Sequence, residues 1–245
     1  MTTLAKGLAV LGSFGEQRPV MTLSEAAAVS GLSRATARRV LLTLCQLGYV
    51  SQRERNFSLA PRILELGFAY LSAQSWIDRA EPLMKELSHD VQESCSAAIL
   101  QGAEIVYVAR MPAPHRIMST TIAIGTRLPA FHTSLGRVQL GFLDAAGLAK
   151  RLAESAPPPQ TAKAIASGAL LARIRADHAQ GYSIVDEELE KGLRSVAVPI
   201  VTRGGVNVGA INLSAHSSRA TRNDLRDRFL PKLDAVAEAI SKTLI

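Results

Sequence analysis

The chain has 245 residues, of which 47% are hydrophobic, and a formal net charge of +7. This composition suits one large or two modest packed domains and argues against a disordered chain. No stretch approaches the roughly 20 consecutive apolar residues that span a bilayer, and no signal peptide is evident, so we expect a cytoplasmic protein without a membrane partner. Cys45 and Cys95 lie far apart without metal-ligand spacing, and we expect buried thiols rather than a disulfide or catalysis.

The positive charge is concentrated near the N-terminus. Residues 1–62 hold eight basic and three acidic side chains, a balance of +5 in a quarter of the chain. A compact, locally basic segment is typical of a DNA-binding module, although a solvated basic face gives the same pattern.

Two helices joined by a short turn are predicted within this basic segment. After an amphipathic helix over residues 4–14, residues 22–25 form a capping box, and the helix that it opens ends near Gly31. Ser33 then caps a second helix that runs to about Leu47. The apolar residues of this helix share one side and arginines occupy the other, as in a helix that enters the major groove. The DNA-contacting residues predicted here are Ser33, Arg34, Ala35, Thr36, Arg38 and Arg39.

A short hairpin follows the second helix. Residues 49–52 and 57–59 have strand-like patterns, and the residues between them end in Asn56, which suits a turn with left-handed backbone geometry. The turn also carries Arg53 and Arg55, which we predict to contact DNA. The sequence therefore predicts an α-rich winged helix-turn-helix domain over residues 1–60.

The rest of the chain predicts a helical linker and a larger domain. The linker covers residues 61–79, and a new helix begins near Pro82. Mixed strands and helices then predict an α/β or α+β domain over residues 80–245 with an antiparallel sheet. Strands are expected at residues 96–100, 105–109, 117–122, 182–185, 195–202 and 208–214, and helices at 134–144, 147–154, 168–179 and 222–242.

The reactive residues do not form a pattern typical of an enzyme. The five histidines lack metal-ligand spacing, and neither a glycine-rich phosphate loop nor a nucleophile elbow is present. We therefore predict a protein that is not an enzyme and that holds neither a metal nor a cofactor. A nucleophilic pair of Cys95 and His132 stays open as an alternative.

One candidate ligand-binding segment joins a predicted strand to a predicted helix at residues 125–137. Thr133 or Ser134 can cap that helix, whose free amides would attract a carboxylate. Arg127 could add a bidentate partner, and the alternative is a structured turn with a solvent-exposed arginine. The effector-binding residues predicted here are Arg127, Leu128, Ala130, His132, Thr133 and Ser134.

A second candidate segment, residues 186–195, places many charges directly before an apolar strand. It is either a solvated loop or the rim of a cavity. Polar residues alternate along the next strand, and a few polar groups in a mostly apolar pocket would fix the orientation of a ligand. The effector-binding residues predicted here are Asp186, Arg194, Ser195, Ala197, Asn212 and Ser214.

Over nearly its whole length the chain resembles the IclR family of transcriptional regulators. The resemblance rests on residues 6–11, 23–27, 31–39, 43–44, 48–50 and 66–67, and on residues 125–127, 135–137, 181–182 and 192–199. More narrowly, residues 127–138 and 186–195 resemble the members that control aromatic-acid breakdown through the β-ketoadipate pathway.

The resemblance implies double-stranded operator DNA as a partner, a GAF-like effector-binding domain and a homodimer or homotetramer. It also implies a small carboxylate effector such as protocatechuate, 4-hydroxybenzoate or β-ketoadipate. We therefore predict a transcriptional regulator whose operator binding responds to such an acid. Two alternatives stay open: an enzyme that processes a small organic acid and carries an appended DNA-binding module, and a regulator that binds no ligand and only oligomerises.

Overall fold

The computed structural model describes residues 2–113, 122–155 and 160–244. The chain divides into two compact units, Met1–Ala73 and Gln74–Ile245. The segment predicted as one linker helix contains the end of one helix at Ser72 and the start of another at Ser75. In the part of the chain that is described, no helix is long and apolar enough to cross a membrane.

The N-terminal unit combines four helices with a small antiparallel sheet whose strand order is β1-β3-β2. Strand β1 was not predicted, because three residues are too few to show an alternating pattern. The elements are α1 (Thr3–Leu11), β1 (Val20–Thr22), α2 (Leu23–Ser30), α3 (Arg34–Gln46), β2 (Val50–Arg53), β3 (Asn56–Leu59) and α4 (Ile63–Ser72). Their shared core contains Val10, Phe14, Met21, Ala26, Val40, Leu41, Leu44, Val50 and Phe57.

Local signals set the boundaries of the two central helices. The backbone N–H of Thr22 donates to Glu25 Oε2 at 2.7 Å, and the N–H of Glu25 donates to Thr22 Oγ1 at 3.4 Å, which confirms the capping box. Gly31 ends α2 with a φ of 65°. The Ser33 hydroxyl then accepts from the N–H of Thr36 at 3.3 Å and caps α3, as predicted.

The turn of the hairpin differs from its prediction. The residue in left-handed geometry is Glu54, with a φ of 53°, and not Asn56. Asn56 already pairs with Arg53 as the first residue of β3, so the turn contains only residues 54 and 55. The role predicted for Asn56 is therefore wrong, although the hairpin itself is confirmed.

The described residues of the C-terminal unit form a sheet of six antiparallel strands in the order β6-β5-β4-β9-β8-β7. Its strands are β4 (Ser94–Gln101), β5 (Glu104–Met111), β6 (Arg127–Pro129), β7 (Ser183–Asp186), β8 (Leu193–Val201) and β9 (Asn207–His216). Its α-helices are α5 (Ser75–Val91), α6 (Ser134–Leu140), α7 (Ala145–Ser155), α8 (Ser167–Gln180), α9 (Arg222–Asp224) and α10 (Leu230–Ser241). The strand predicted at residues 117–122 lies outside the described residues except for Ile122, which is not in a strand.

The start predicted for α5 near Pro82 is also wrong. The helix begins at Ser75, and Pro82 lies in its interior. Proline removes one backbone hydrogen bond there, but α5 packs along β4 and β5, and this packing stabilises the helix through the interruption.

The helices cover both faces of the sheet. Helices α5 and α10 pack on one face, and α6 packs on the other together with α8. The ring of Trp76, on α5, lies so close to Gly209 of β9 that a Cβ at Gly209 would be 2.7 Å from it. Because side chains alternate along a strand, Gly209 faces α5, whereas Asn212 and Ser214 face α6.

Candidate DNA-contacting surface and ligand cavity

Helix α3 is anchored by its apolar side. Ala37 and Leu41 are fully buried and Val40 nearly so. Thr36 is half-buried, whereas the other predicted contacts at the start of the helix are exposed. These exposed residues are Ser33, Arg34, Ala35, Arg38 and Arg39.

The structure brings arginines of α3 and of the hairpin to one groove. Arg34 and Arg38 line a surface groove of about 450 Å³ together with Arg55 from the tip of the hairpin. Arg39 lies on another side of α3, in a groove shared with α1. No ion pair within the described residues involves Arg34, Arg38, Arg39, Arg53 or Arg55. Their charges are therefore available to an anionic surface such as a phosphate backbone.

A second site is a cavity in the C-terminal unit, on the face of the sheet that α6 covers. Its free volume is about 20 Å³, enough for roughly one water molecule, so a larger ligand enters only if the lining side chains move. The described residues that line it are Tyr107, Arg110, Ile122, His132, Thr133, Ser134, Val185, Leu189, Leu193, Ser195, Asn212 and Ser214.

Hydroxyl and amide groups form the polar part of this cavity. Ser134 Oγ donates to Ser195 Oγ at 2.9 Å, and Asn212 Nδ2 donates to Ser214 Oγ at 3.0 Å. Asn212 Oδ1 is buried, and no donor among the described residues reaches it. An acceptor without a donor in a buried site is costly, which favours a ligand that supplies one.

Among the described lining residues, the arginine is Arg110, and sequence reasoning missed it. Its Nη1 donates to Ser96 Oγ at 3.2 Å. Burial raises the pKa of the neighbouring Tyr107 to about 12, against the opposing effect of the Arg110 charge.

A β-bulge explains why Tyr107 and Arg110 face the same cavity. Ala97 pairs with Ala109 but Ala98 pairs with Tyr107, which leaves Val108 as an extra residue in β5. Strict alternation places positions 107 and 110 on opposite faces, so strand periodicity alone gives no signal for this pair.

The predicted effector residues divide into two groups. Those that line the cavity are His132, Thr133, Ser134, Ser195, Asn212 and Ser214. Those that the structure places elsewhere are Arg127, Leu128, Ala130, Asp186, Arg194 and Ala197, of which Leu128, Ala130 and Ala197 belong to the apolar core.

Both arginines predicted to bind the carboxylate are held by other partners. Arg127 lies on the edge strand β6, where its Nε donates to Glu104 at 2.8 Å. Arg194 donates to Asp186 at 2.6 Å and to the carbonyls of Ser217 and Ala220. A guanidinium beside a carboxylate of its own surface forms an ion pair, and neither arginine is among the described residues that line the cavity, which include Arg110 instead.

The structure also separates the nucleophilic pair kept open above. Cys95 lies on the face of β4 opposite to Ser96 and the cavity, whereas His132 lines the cavity. Burial raises the pKa of the Cys95 thiol to about 12, so it stays protonated. Within the described ranges, no three histidine, cysteine or acidic residues are grouped to hold a metal ion.

The N-terminal unit has the fold of a winged helix-turn-helix protein, and comparison with known proteins gives the family of the whole chain. Residues 3–54 match the IclR helix-turn-helix domain, and residues 68–242 match the bacterial transcriptional regulator IclR C-terminal domain. The chain belongs to the IclR family of bacterial transcriptional regulators. The predicted two-domain fold, with DNA binding assigned to the first domain, is thereby confirmed.

Similar proteins include regulators of aromatic catabolism. The Pca regulon regulatory protein of Pseudomonas putida is 38% identical over all of this chain and 84% of its own length. A transcriptional regulator from Rhodococcus sp. RHA1 is 45% identical and superposes with a TM-score of 0.86, covering 100% of this chain and 98% of that one. The inducer-binding domain of an Acinetobacter PobR double mutant, in complex with 3-hydroxybenzoic acid, is 26% identical, has a TM-score of 0.64 and covers 68% of this chain and 98% of that one.

Proposed function

We propose that this regulator releases or engages its operator in response to a small aromatic acid bound in the cavity of the C-terminal unit. The observation that carries the proposal is the lining of the cavity. It combines one arginine, several hydroxyl groups and an unpaired amide oxygen with apolar side chains, as a pocket for a polar aromatic ligand requires. The PobR domain bound to a hydroxybenzoic acid supports the same ligand class.

The residues of the cavity suggest how such an acid is held. Arg110 pairs with the carboxylate, because a guanidinium binds a carboxylate through two parallel hydrogen bonds. The ring packs against Ile122, Val185 and Leu193. Ring hydroxyl groups reach Ser195 and Asn212, whose Oδ1 can accept a hydrogen bond that no described residue donates.

A thermal-shift titration tests the ligand class. With 3-hydroxybenzoate, 4-hydroxybenzoate, protocatechuate and β-ketoadipate, we expect at least one acid to raise the Tm by roughly 5 to 10 °C at a concentration of about 100 times its Kd. Arg110→Gln should weaken binding of that acid by about 10- to 100-fold. Arg127→Gln, on the edge strand, is the matched control and should leave binding unchanged. Failure of every acid to shift the Tm would reject the proposal.

We further propose that the acid is bound and released unchanged. A ligand alters DNA affinity only when it binds the two conformations of the regulator unequally, and this requires no chemistry on the ligand. Recovery of intact acid after prolonged incubation supports this role, whereas turnover would favour the enzyme alternative.

For the operator, we propose that Arg34, Arg38 and Arg55 contact the DNA from their common groove and that the exposed Ala35 and Arg39 contact it from the side of α3 that borders the groove shared with α1. Arg53 extends the same surface along the hairpin. Phosphate contacts make affinity fall with added salt, with a slope of about 0.9 per phosphate neutralised. A salt titration of operator binding therefore counts the contacts.

We propose that the functional form is a homodimer or homotetramer that uses an apolar groove of the N-terminal unit. The groove, of about 650 Å³, lies between α1 and α3 and includes Leu4, Leu8, Leu47 and Leu66, all of them at least half exposed. Contiguous exposed apolar surface of this kind marks protein interfaces. Leu8→Glu should lower the oligomeric state in sedimentation, whereas Val206→Glu, equally exposed in the C-terminal unit, should not.

A further inference from the structure

A fully buried ion pair lies beside the ligand cavity. Arg137 of α6 is 0% exposed, and Glu188, in the loop of residues 187–192, is 6% exposed. Arg137 Nη1 donates to Glu188 Oε1 at 2.9 Å, and Nη2 donates to Oε2. The pair is therefore bidentate and shielded from water.

The same guanidinium connects two walls of the cavity. Arg137 Nε donates to the carbonyl of Phe131 at 2.8 Å, directly before residues 132–134, which line one wall. Glu188 is followed directly by Leu189, which lines another. Arg137 is not among the described lining residues, so it acts on a ligand only through the segments that it holds.

Glu187, the first residue of the loop, has further contacts with Thr161 and Lys163. Thr161 Oγ1 donates to the carbonyl of Glu187 at 2.6 Å, and Lys163 Nζ donates to Glu187 Oε1 at 2.6 Å. Glu187 itself has a φ of 58°, in the left-handed region that non-glycine residues avoid. These contacts hold the start of the loop, and the pair of Arg137 and Glu188 holds the residue directly before Leu189.

A buried ion pair affects the stability of the fold and the positions of the segments that it joins in different ways. Removing both charges from water is costly, and a well-packed apolar pair of similar size is often as stable. A guanidinium that bridges two segments, however, sets their separation in a way that apolar side chains do not. We propose that Arg137 and Glu188 are positioning residues for the cavity, which hold the Leu189 wall at a fixed distance from residues 132–134.

The test replaces both charged side chains with apolar side chains of similar volume. Arg137→Met/Glu188→Leu is compared with Glu188→Leu alone and with the exposed-pair control Arg127→Met/Glu104→Leu. The single variant should lose about 10 °C in Tm, because it leaves an unpaired buried charge, and the double variant should recover most of this loss.

Two readouts distinguish positioning from stability. In the double variant, amides of residues 187–193 should exchange with solvent about tenfold faster than in the wild type. The Kd for 3-hydroxybenzoate, or for whichever of the four acids above gives the largest thermal shift, should rise about tenfold, because the ligand must now order the wall itself. The control should change neither quantity.

Wild-type exchange and affinity in a well-folded double variant would overturn the proposal. The ligand readout rests on the proposed function, whereas the exchange readout does not. If the wild type binds none of the acids but the loop still exchanges faster in the double variant, the proposed function fails and the positioning role stands. If the double variant does not fold, Arg137→Lys replaces it: a lysine cannot reach Phe131 and both Glu188 oxygens, so the same increase in exchange is expected.

Discussion

The arginines of α3 and the hairpin tip differ in environment from three arginines of the C-terminal unit. Those of α3 and the hairpin tip are exposed, and no described carboxylate pairs with them. In the C-terminal unit, Arg137, Arg194 and Arg219 each form an ion pair with an acidic residue and are at least partly buried. An unpaired exposed charge is available to a partner, whereas a paired buried charge holds segments of the chain together. The presence of a carboxylate partner therefore separates these structural arginines from the arginines that we propose to contact DNA.

The prediction with the largest expected effect removes the acidic partner of a buried arginine. Glu188→Leu leaves the Arg137 guanidinium buried without its carboxylate, and we expect the free energy of unfolding to fall by about 3 to 5 kcal/mol. Urea unfolding of the full chain measures this change. A loss below about 1 kcal/mol would mean that water reaches the guanidinium readily and that the pair is not structural.

The next test removes an unpaired charge. Arg38→Gln should leave the free energy of unfolding unchanged within about 0.5 kcal/mol. If Arg38 contacts a base, the variant should weaken operator binding by about 1 to 3 kcal/mol. If Arg38 contacts a phosphate, it should instead reduce the slope of the salt dependence of binding by about 1. Electrophoretic mobility shifts at several salt concentrations measure both. Arg226→Gln, an exposed arginine already paired with Asp227, is the control. Equal effects of the two variants would contradict the assignment of the groove.

A smaller effect concerns pH. Burial raises the pKa of Asp177, although Ser183, Arg173 and Arg137 lower it in part. The folded state therefore binds this proton more tightly than the unfolded state, so the contribution of Asp177 to stability is greatest in acid. It is lost as the pH rises from near 3.8 through the raised pKa. The free energy of unfolding should be measured for the wild type and for Asp177→Asn across this pH range. The difference between the two should decline as the pH rises, and a difference that does not depend on pH would refute the raised pKa of Asp177.

The smallest effect is expected where an ion pair is exposed. Arg127 and Glu104 are each nearly half exposed, and replacing both with apolar residues should change stability by less than about 1 kcal/mol. The midpoint of urea unfolding measures it. A large loss would show that exposure does not separate structural from dispensable pairs in this molecule.

Sequence patterns predicted the features that depend on neighbours along the chain. The capping box at Thr22, the left-handed Gly31 and the cap at Ser33 are local, because their hydrogen bonds join residues three or four apart. The order of the other described strands and helices beyond residue 95 also followed from periodicity, apart from the three-residue β6, whereas the strand predicted at residues 117–122 lies outside the described residues except for Ile122.

The arrangement of the cavity was less predictable, because it depends on contacts between distant residues. Arg110 faces the cavity through a bulge that no local signal marks. Glu188 lies in a run of charges that is typical of a solvated loop, yet its partner Arg137 is 51 residues away in the chain and fully buried. Which charge of such a run is buried depends on the folded packing, and a single sequence does not record it.

The contact between Trp76 and Gly209 has a practical consequence. This indole is the sole one in the chain, and it lies against the side of β9 opposite to Asn212 and Ser214. The protein therefore contains its own fluorophore on the face of the sheet opposite to the cavity, at the start of α5, where the C-terminal unit begins. We expect its emission to report on the packing of the C-terminal unit in solution without an added dye.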